Sequence, residues 1–235
     1  MSQEQDGVAL AARPMAGWPP DDTEESVVGT NLHQTTITNL RWGLNEVASL
    51  RPPAGQAPPW QALSQTAISG MRRPDGSSYT VLPDVFVYRQ PIDERLATLA
   101  LEDVGPPLLV IEVLSKTTYR SDLDFRSGKG FSYAQAGVQE YLILDPTGEF
   151  LPERVLGSFL GNHGYVRRRP DASGRWRSRE LALGIAFEGA LIAVYAGDGK
   201  RQLREGEVAR EIARRDDEIA ALRRLLDQQR KAAHD

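Results

Sequence analysis

Cysteine is absent from the 235 residues. That excludes disulfides, thiolate zinc sites and cysteine nucleophiles together, and it fits a reducing compartment. Histidine occurs three times, at His33, His163 and His234, too scattered for a histidine-rich metal site. No apolar run approaches the roughly 20 residues of a membrane span. The longest, PLLVIEVL at 107–114, already contains Glu112. The opening MSQEQDGVALAARP lacks the basic start and unbroken apolar stretch of a signal peptide. These absences lead to the expectation of a soluble, cytoplasmic protein with no membrane partner.

What is present is ordinary globular material. Hydrophobic residues make up 40% and charged residues 26%, which excludes wholesale disorder. The net charge of −4 is uneven: residues 1–25 hold six acids against Arg13, which leaves about +1 on the remainder. A pI of about 5.5 argues against a bulk electrostatic nucleic-acid binder but leaves room for a local basic groove.

Turn-rich residues 1–22, ending in GWPPDD, predict an N-terminal arm. Leu32, Ile37, Leu40, Leu44, Val47 and Leu50 recur at helical spacing, and RPP at 51–53 stops that helix. SYTVLPDVFVYR at 78–89 reads as strand with Pro83 restricting pairing at its centre, and PLLVIEVLS at 107–115 as a strand buried on both faces. Residues 125–136 predict a helix capped by Gly137, and QEYLILDP at 139–146 another buried strand. Strand, helix and strand in about 40 residues predict a crossover in a mixed or parallel sheet. Short strands divided by GNHG, PDASG and GDGK turns follow at 154–195. The tail is charged and free of proline. Ile212, Ile219 and Leu226 fall at heptad position a and Val208 and Leu222 at d, with Arg215 and Gln229 as polar misfits. The division is an arm at 1–22, a domain at 23–199 and a C-terminal helix at 200–235, a candidate coiled coil.

The chemistry-bearing stretch is 83–145. Asp84 and Glu112 are carboxylates inside apolar strand runs, where ionised acids are costly unless paired or bound to a cation. On neighbouring strands they could place oxygen ligands around one Mg²⁺, the hard-ion arrangement of phosphoryl transfer. The bland alternative is that Asp84 caps a turn and Glu112 faces solvent at a strand end. Lys129, with Tyr133 one turn further on, could orient a water or offset developing charge; most helix lysines simply solvate a surface. The stretch 165–179, YVRRRPDASGRWRSR, holds six arginines against Asp171. As one hairpin it would set Arg175, Arg177 and Arg179 on one face, suited to a phosphate backbone or simply solvated.

Read in order, Pro83-Asp84, Glu112-Val113-Leu114-Ser115, Lys129 and Tyr133, Ala136-Gly137-Val138 with Glu140-Tyr141, and Asp145-Pro146 resemble the pattern of the Uma-type restriction endonuclease family. That family is a branch of the PD-(D/E)XK nuclease superfamily. The likeness is tight over about 60 residues and extends loosely from about 24 to 200. It implies an α/β fold: a mixed restriction-endonuclease-like sheet flanked by helices, with added β-hairpins and a C-terminal helix. It implies a divalent-metal-dependent DNA endonuclease in which Asp84, Glu112 and the Val113 carbonyl hold Mg²⁺ or Mn²⁺. Leu114 stands where the superfamily places its strand lysine, so the resemblance gives Lys129 the role of a migrated catalytic lysine. Its replacement by alanine is expected to leave thermal stability nearly unchanged. Glu25, in Glu25-Ser-Val-Val-Gly29, resembles an extra acidic residue from an N-terminal helix, with Glu24 an equal rival. His33-Gln34 resembles the family's helix start. The family's aspartate four residues before the lysine is Phe125 here, with Asp124 one step earlier. DNA is the expected partner, and a homodimer through the tail would set two active sites on opposite strands. Two other readings stay open: a catalytically silent nuclease fold that binds DNA or regulates, and a coiled-coil interaction protein.

Overall fold

The structure, a computed structural model, describes residues 31–50 and 59–232. The chain divides into two compact units, Met1–Gln202 and Leu203–Asp235. Among the described residues no helix is long and apolar enough to cross a membrane. The expected arm at 1–22, Glu24 and Glu25 lie outside the described residues.

Helix α1, Asn31–Ser49, forms where the periodic apolar residues predict it and buries Ile37, Leu40, Leu44 and Val47. Strands β1 (Gln61–Leu63), β2 (Ala67–Arg72), β3 (Ser78–Val81), β4 (Val85–Tyr88) and β5 (Thr98–Ala100) follow. The run at 78–89 is thus two strands, one on each side of Pro83, and they belong to different sheets. Proline has no N–H for a ladder, so the chain changes sheets at that point.

After the single-turn helix α2, Leu101–Val104, strand β6 (Leu109–Val113) is buried along its whole length, as is β7 (Glu140–Leu144). These two pair in parallel, with Glu112 opposite Ile143. Their crossover contains α3 (Tyr119–Asp122) and α4 (Lys129–Ala136). Helix α4 starts later than the expected residue 125. Asp124 accepts hydrogen bonds from the Arg126 and Ser127 amides and folds residues 124–128 into a turn instead. Gly137 ends α4 with φ of +86°, the left-handed conformation that favours glycine.

Strands β8 (Val155–Gly161) and β9 (Gly164–Arg168) make a hairpin, and β10 (Trp176–Ser178), β11 (Leu183–Glu188) and β12 (Leu191–Tyr195) a second sheet. The main sheet has the order β1-β4-β6-β7-β8-β9, and every pair except β6–β7 is antiparallel. A third sheet has the order β3-β2-β5. The stretch 165–179 is therefore not one hairpin: β9 pairs with β8, and β10 pairs with β11.

Two apolar layers hold the main sheet. On one face Leu109, Ile111, Val113, Leu142 and Leu144 pack with α1 and with Trp176, Leu183, Ile185 and Val194 of the β10–β12 sheet. On the other, Val110, Leu114, Tyr141 and Ile143 pack with Ile68, Met71 and Tyr133. Close approach is strict at Gly157, where a Cβ would run into the Trp176 indole. The tail is the helix α5, Glu205–Ala232.

Candidate catalytic centre

Alternation along β6 turns Glu112 to the face of Val110 and Leu114, so a carboxylate is forced into the second apolar layer with 1% of its surface exposed. Such a group needs partners, and it has them. Tyr133 donates its hydroxyl to Glu112 Oε1 at 2.6 Å. Lys129 Nζ lies 3.4 Å from Glu112 Oε2 and 3.1 Å from Asp122 Oδ1. Lys129 and Tyr133, four residues apart on α4, share its inward face. Helix α4 thus brings both a cation and a hydroxyl to one buried acid.

Asp84 precedes β4, which runs antiparallel to β6, and this brings it beside the end of β6. Its Oδ2 accepts the Val113 amide at 2.7 Å. The Val113 carbonyl lies 2.9 Å from His33 Nε2, and that nitrogen is 3.7 Å from Asp84 Oδ2. His33 reaches the centre because it sits one turn before the buried face of α1. Burial pulls the imidazole's proton affinity down, but its hydrogen bond and attraction to Asp84 outweigh this, so the group ends above its usual value.

The centre holds more acid than base. Burial pushes the Glu112 carboxyl well above the usual carboxylate range against the pull of Lys129, and the charges of Asp122 and Asp84 add to the rise. Burial likewise raises Asp122. Asp122 Oδ2 is buried with no hydrogen-bond partner among the described residues. An excess of oxygen donors around one ammonium is what a hard divalent cation takes. Among the described residues no three histidine, aspartate or glutamate side chains are grouped to hold a metal by themselves. A metal here would therefore need a further donor, such as the Val113 carbonyl.

The structure brings Asp84, Glu112, Val113 and Lys129 together. It does not bring Arg175, Arg177 and Arg179 to them. Those three belong to the β10 region, on the opposite face of the main sheet from Glu112. Arg175 lies over the Tyr195 ring at 3.7 Å, Arg179 over Phe159 at 4.6 Å, and Arg177 pairs with Asp171 at 2.8 Å. Lys116, the other lysine near the strand end, is exposed.

Two residues of the centre carry little signal in the sequence. Asp122 lies in a one-turn helix with no periodicity to mark it, seven residues before Lys129. His33 stands in the quoted helix start, but its reach to Val113, 80 residues away, is not visible there. Other motif residues are scaffolding. Glu140 accepts the Arg179 amide at 2.6 Å and the Ser178 hydroxyl at 2.5 Å, which ties β7 to the β10–β12 sheet. Asp145 gathers the Phe150 and Leu151 amides at 2.6 and 2.8 Å and closes the loop after β7.

The mixed α/β sheet is that of a restriction-endonuclease-like fold, with Glu112 on its parallel crossover pair and Asp84 just ahead of the adjoining strand. The model of the Uma2 family, described as "putative restriction endonuclease", matches residues 25–194, and the chain belongs to that family. No curated protein matches the chain.

Proposed function

We propose that the domain at 23–199 is a divalent-metal-dependent endonuclease that hydrolyses DNA phosphodiesters, and that the chain acts as a homodimer through the helix at 200–235. The observation that carries the nuclease reading is the convergence of Asp84, Glu112 and the Val113 backbone with Lys129 at one end of β6. Asp84, Glu112 and the Val113 carbonyl would hold Mg²⁺ or Mn²⁺, with Glu25 a further acid in this reading. Bound there, the ion would supply Lewis acidity, acidifying a water and offsetting phosphate charge.

The chain's own residues do the rest. Tyr133 fixes the Glu112 carboxylate by donating to Oε1, which leaves Oε2 to Lys129. Asp122 holds the Lys129 ammonium from the other side. The ammonium is inserted between Glu112 and Asp122, placed to donate a hydrogen bond to a phosphate oxygen or an attacking water and to stabilise the charge that builds there. His33, hydrogen-bonded to the Val113 carbonyl and close to Asp84, orients that strand end. Arg175, Arg177 and Arg179 remain candidates for a DNA contact away from the centre.

Purified full-length protein incubated with supercoiled plasmid, with and without Mg²⁺ or Mn²⁺, tests the reading. Metal-dependent nicking or linearisation is expected, and it should disappear in Asp84→Asn. Lys129→Ala should lose orders of magnitude in turnover under conditions where it stays folded, while Lys116→Ala cuts like the parent. Binding without cutting at any metal concentration selects the silent DNA-binding module. Leu114, buried where a strand lysine would stand, is the observation that favours that second reading.

A further inference from the structure

Helix α5 is 28 residues long and carries its large apolar side chains in the open. Ile212 is 55% exposed, Ile219 46%, Leu222 54%, Leu225 56% and Leu226 56%. A stripe of that kind on one helix wants a partner. The orientation of that partner can be argued from charge.

Within the helix, Arg214 pairs with Glu211 and Glu218, and Arg215 pairs with Glu211 at 2.9 Å. Asp216 and Arg223 take part in no ion pair among the described residues, and both occupy heptad position e. Residues 205–218 hold six acids to three arginines, whereas 219–226 hold Arg223 and Arg224 and no acid. The helix is thus acidic in its first half and basic beyond it.

A parallel, in-register pair would set Arg215 against Arg215 in the seam and Glu211 beside Asp216 along each edge, three like-charge contacts of two kinds in every dimer, against two Glu218–Arg223 attractions. An antiparallel pair centred between Ala220 and Ala221 avoids both. Ile219 of one helix then meets Leu222 of the other, in both copies, which makes an apolar centre. Arg215 faces Leu226 and can lay its stem along it while its head stays on Glu211. Ile212 faces Gln229. Asp216 falls opposite Arg223 twice, so both unused charges are matched.

We infer that α5 pairs with α5 of a second copy as an antiparallel two-helix coiled coil, with Ile219 and Leu222 at its centre and Asp216 against Arg223. This inference rests on the homodimer part of the proposed function and adds its orientation and register; it does not depend on nuclease activity.

The absence of cysteine makes the test clean. Single-cysteine variants Gly206→Cys and Arg224→Cys of the full chain are spin-labelled and their label-to-label distances measured. A Cβ at Gly206 meets nothing within 4 Å, and Arg224 is exposed. Antiparallel pairing puts the labels at 206 about 40 Å apart along the axis and those at 224 within about 20 Å. Short distances at both sites mean a parallel pair and overturn the orientation while leaving the homodimer standing. A chain that sedimentation shows to be monomeric at high concentration overturns both, whatever else α5 then binds. Charge reversal gives a second readout of opposite sign. Asp216→Arg should weaken the antiparallel dimer roughly tenfold, and adding Arg223→Asp should restore it. In a parallel pair, Asp216→Arg would instead meet Glu211 and tighten it, which refutes the register.

Discussion

Replacing Lys129 with methionine removes the only basic side chain within ion-pair distance of Glu112 and Asp122 among the described residues, at 3.4 and 3.1 Å. Both carboxyls are about 1% exposed, so water cannot take over. Deleting one partner of a buried pair costs about 3–5 kcal/mol. The loss has a ceiling, because a stranded carboxyl can bind a proton. With an unfolded glutamate pKa of about 4.3, that escape costs about 1.4 kcal/mol for each pH unit above it, or about 5 kcal/mol at pH 8 and about 2 at pH 6. Burial already raises both groups in the folded protein, and the lysine is what restrains them. A raised folded pKa gives stability that is present at low pH and lost as pH climbs through the folded value. The deficit of Lys129→Met should therefore deepen from about 2 kcal/mol at pH 6 to about 4 at pH 8. Urea unfolding of the chelator-treated chain, followed by tryptophan fluorescence from the buried Trp60 and Trp176, measures it. Adding Asp122→Asn should recover much of the loss. Equal stability of variant and parent at pH 8, or a deficit that ignores pH, would refute the account. The expectation that losing Lys129 leaves stability nearly unchanged is thereby corrected: it treats the lysine as reaching into an open site, whereas its ammonium is enclosed by two buried acids.

Asp84→Asn should abolish metal-dependent cutting yet melt within a few degrees of the parent, because the amide oxygen can still accept the Val113 N–H; calorimetry and plasmid cleavage on one preparation check both. Gly157→Ala should cost about 3 kcal/mol or prevent folding, since its methyl would overlap the Trp176 indole, and a midpoint unchanged in urea would contradict that packing. Asp145→Ala should lose about 3 kcal/mol by freeing the amides of the loop after β7. Burial pushes the Asp145 carboxyl up, the Phe150 and Leu151 amides outweigh it, and the net value is depressed, so its contribution holds at neutral pH and fades as pH falls through that value. The parent should therefore lose its advantage over Asp145→Ala in acid, which paired urea curves at neutral and low pH would show.

How much of this was legible in the sequence follows from which interactions are local. The elements of the core announce themselves because their cause is periodicity: α1 from Leu40, Leu44 and Val47, the doubly buried β6 and β7 from unbroken apolar runs, and the end of α4 from a glycine that can take positive φ. Asp84 and Glu112 stand out in the sequence because carboxylates in apolar runs need a partner wherever the chain goes, whereas Lys129 is singled out from other helix lysines by the motif order that resembles the family. Only the tertiary structure decided that Asp122 is the second acid on Lys129, since a one-turn helix carries no period and its carboxylate is defined by what packs over it. The same holds for His33, brought across 80 residues to the Val113 carbonyl by the docking of α1 on the sheet. The arginines at 175–179 make the converse case. Their spacing shows a shared face, but which face of which sheet is set by Trp176 filling the space over Gly157, and that packing turns them away from Glu112. Local pattern determines the element and the kind of side chain it carries, whereas the meeting of two elements depends on the shape of the core between them.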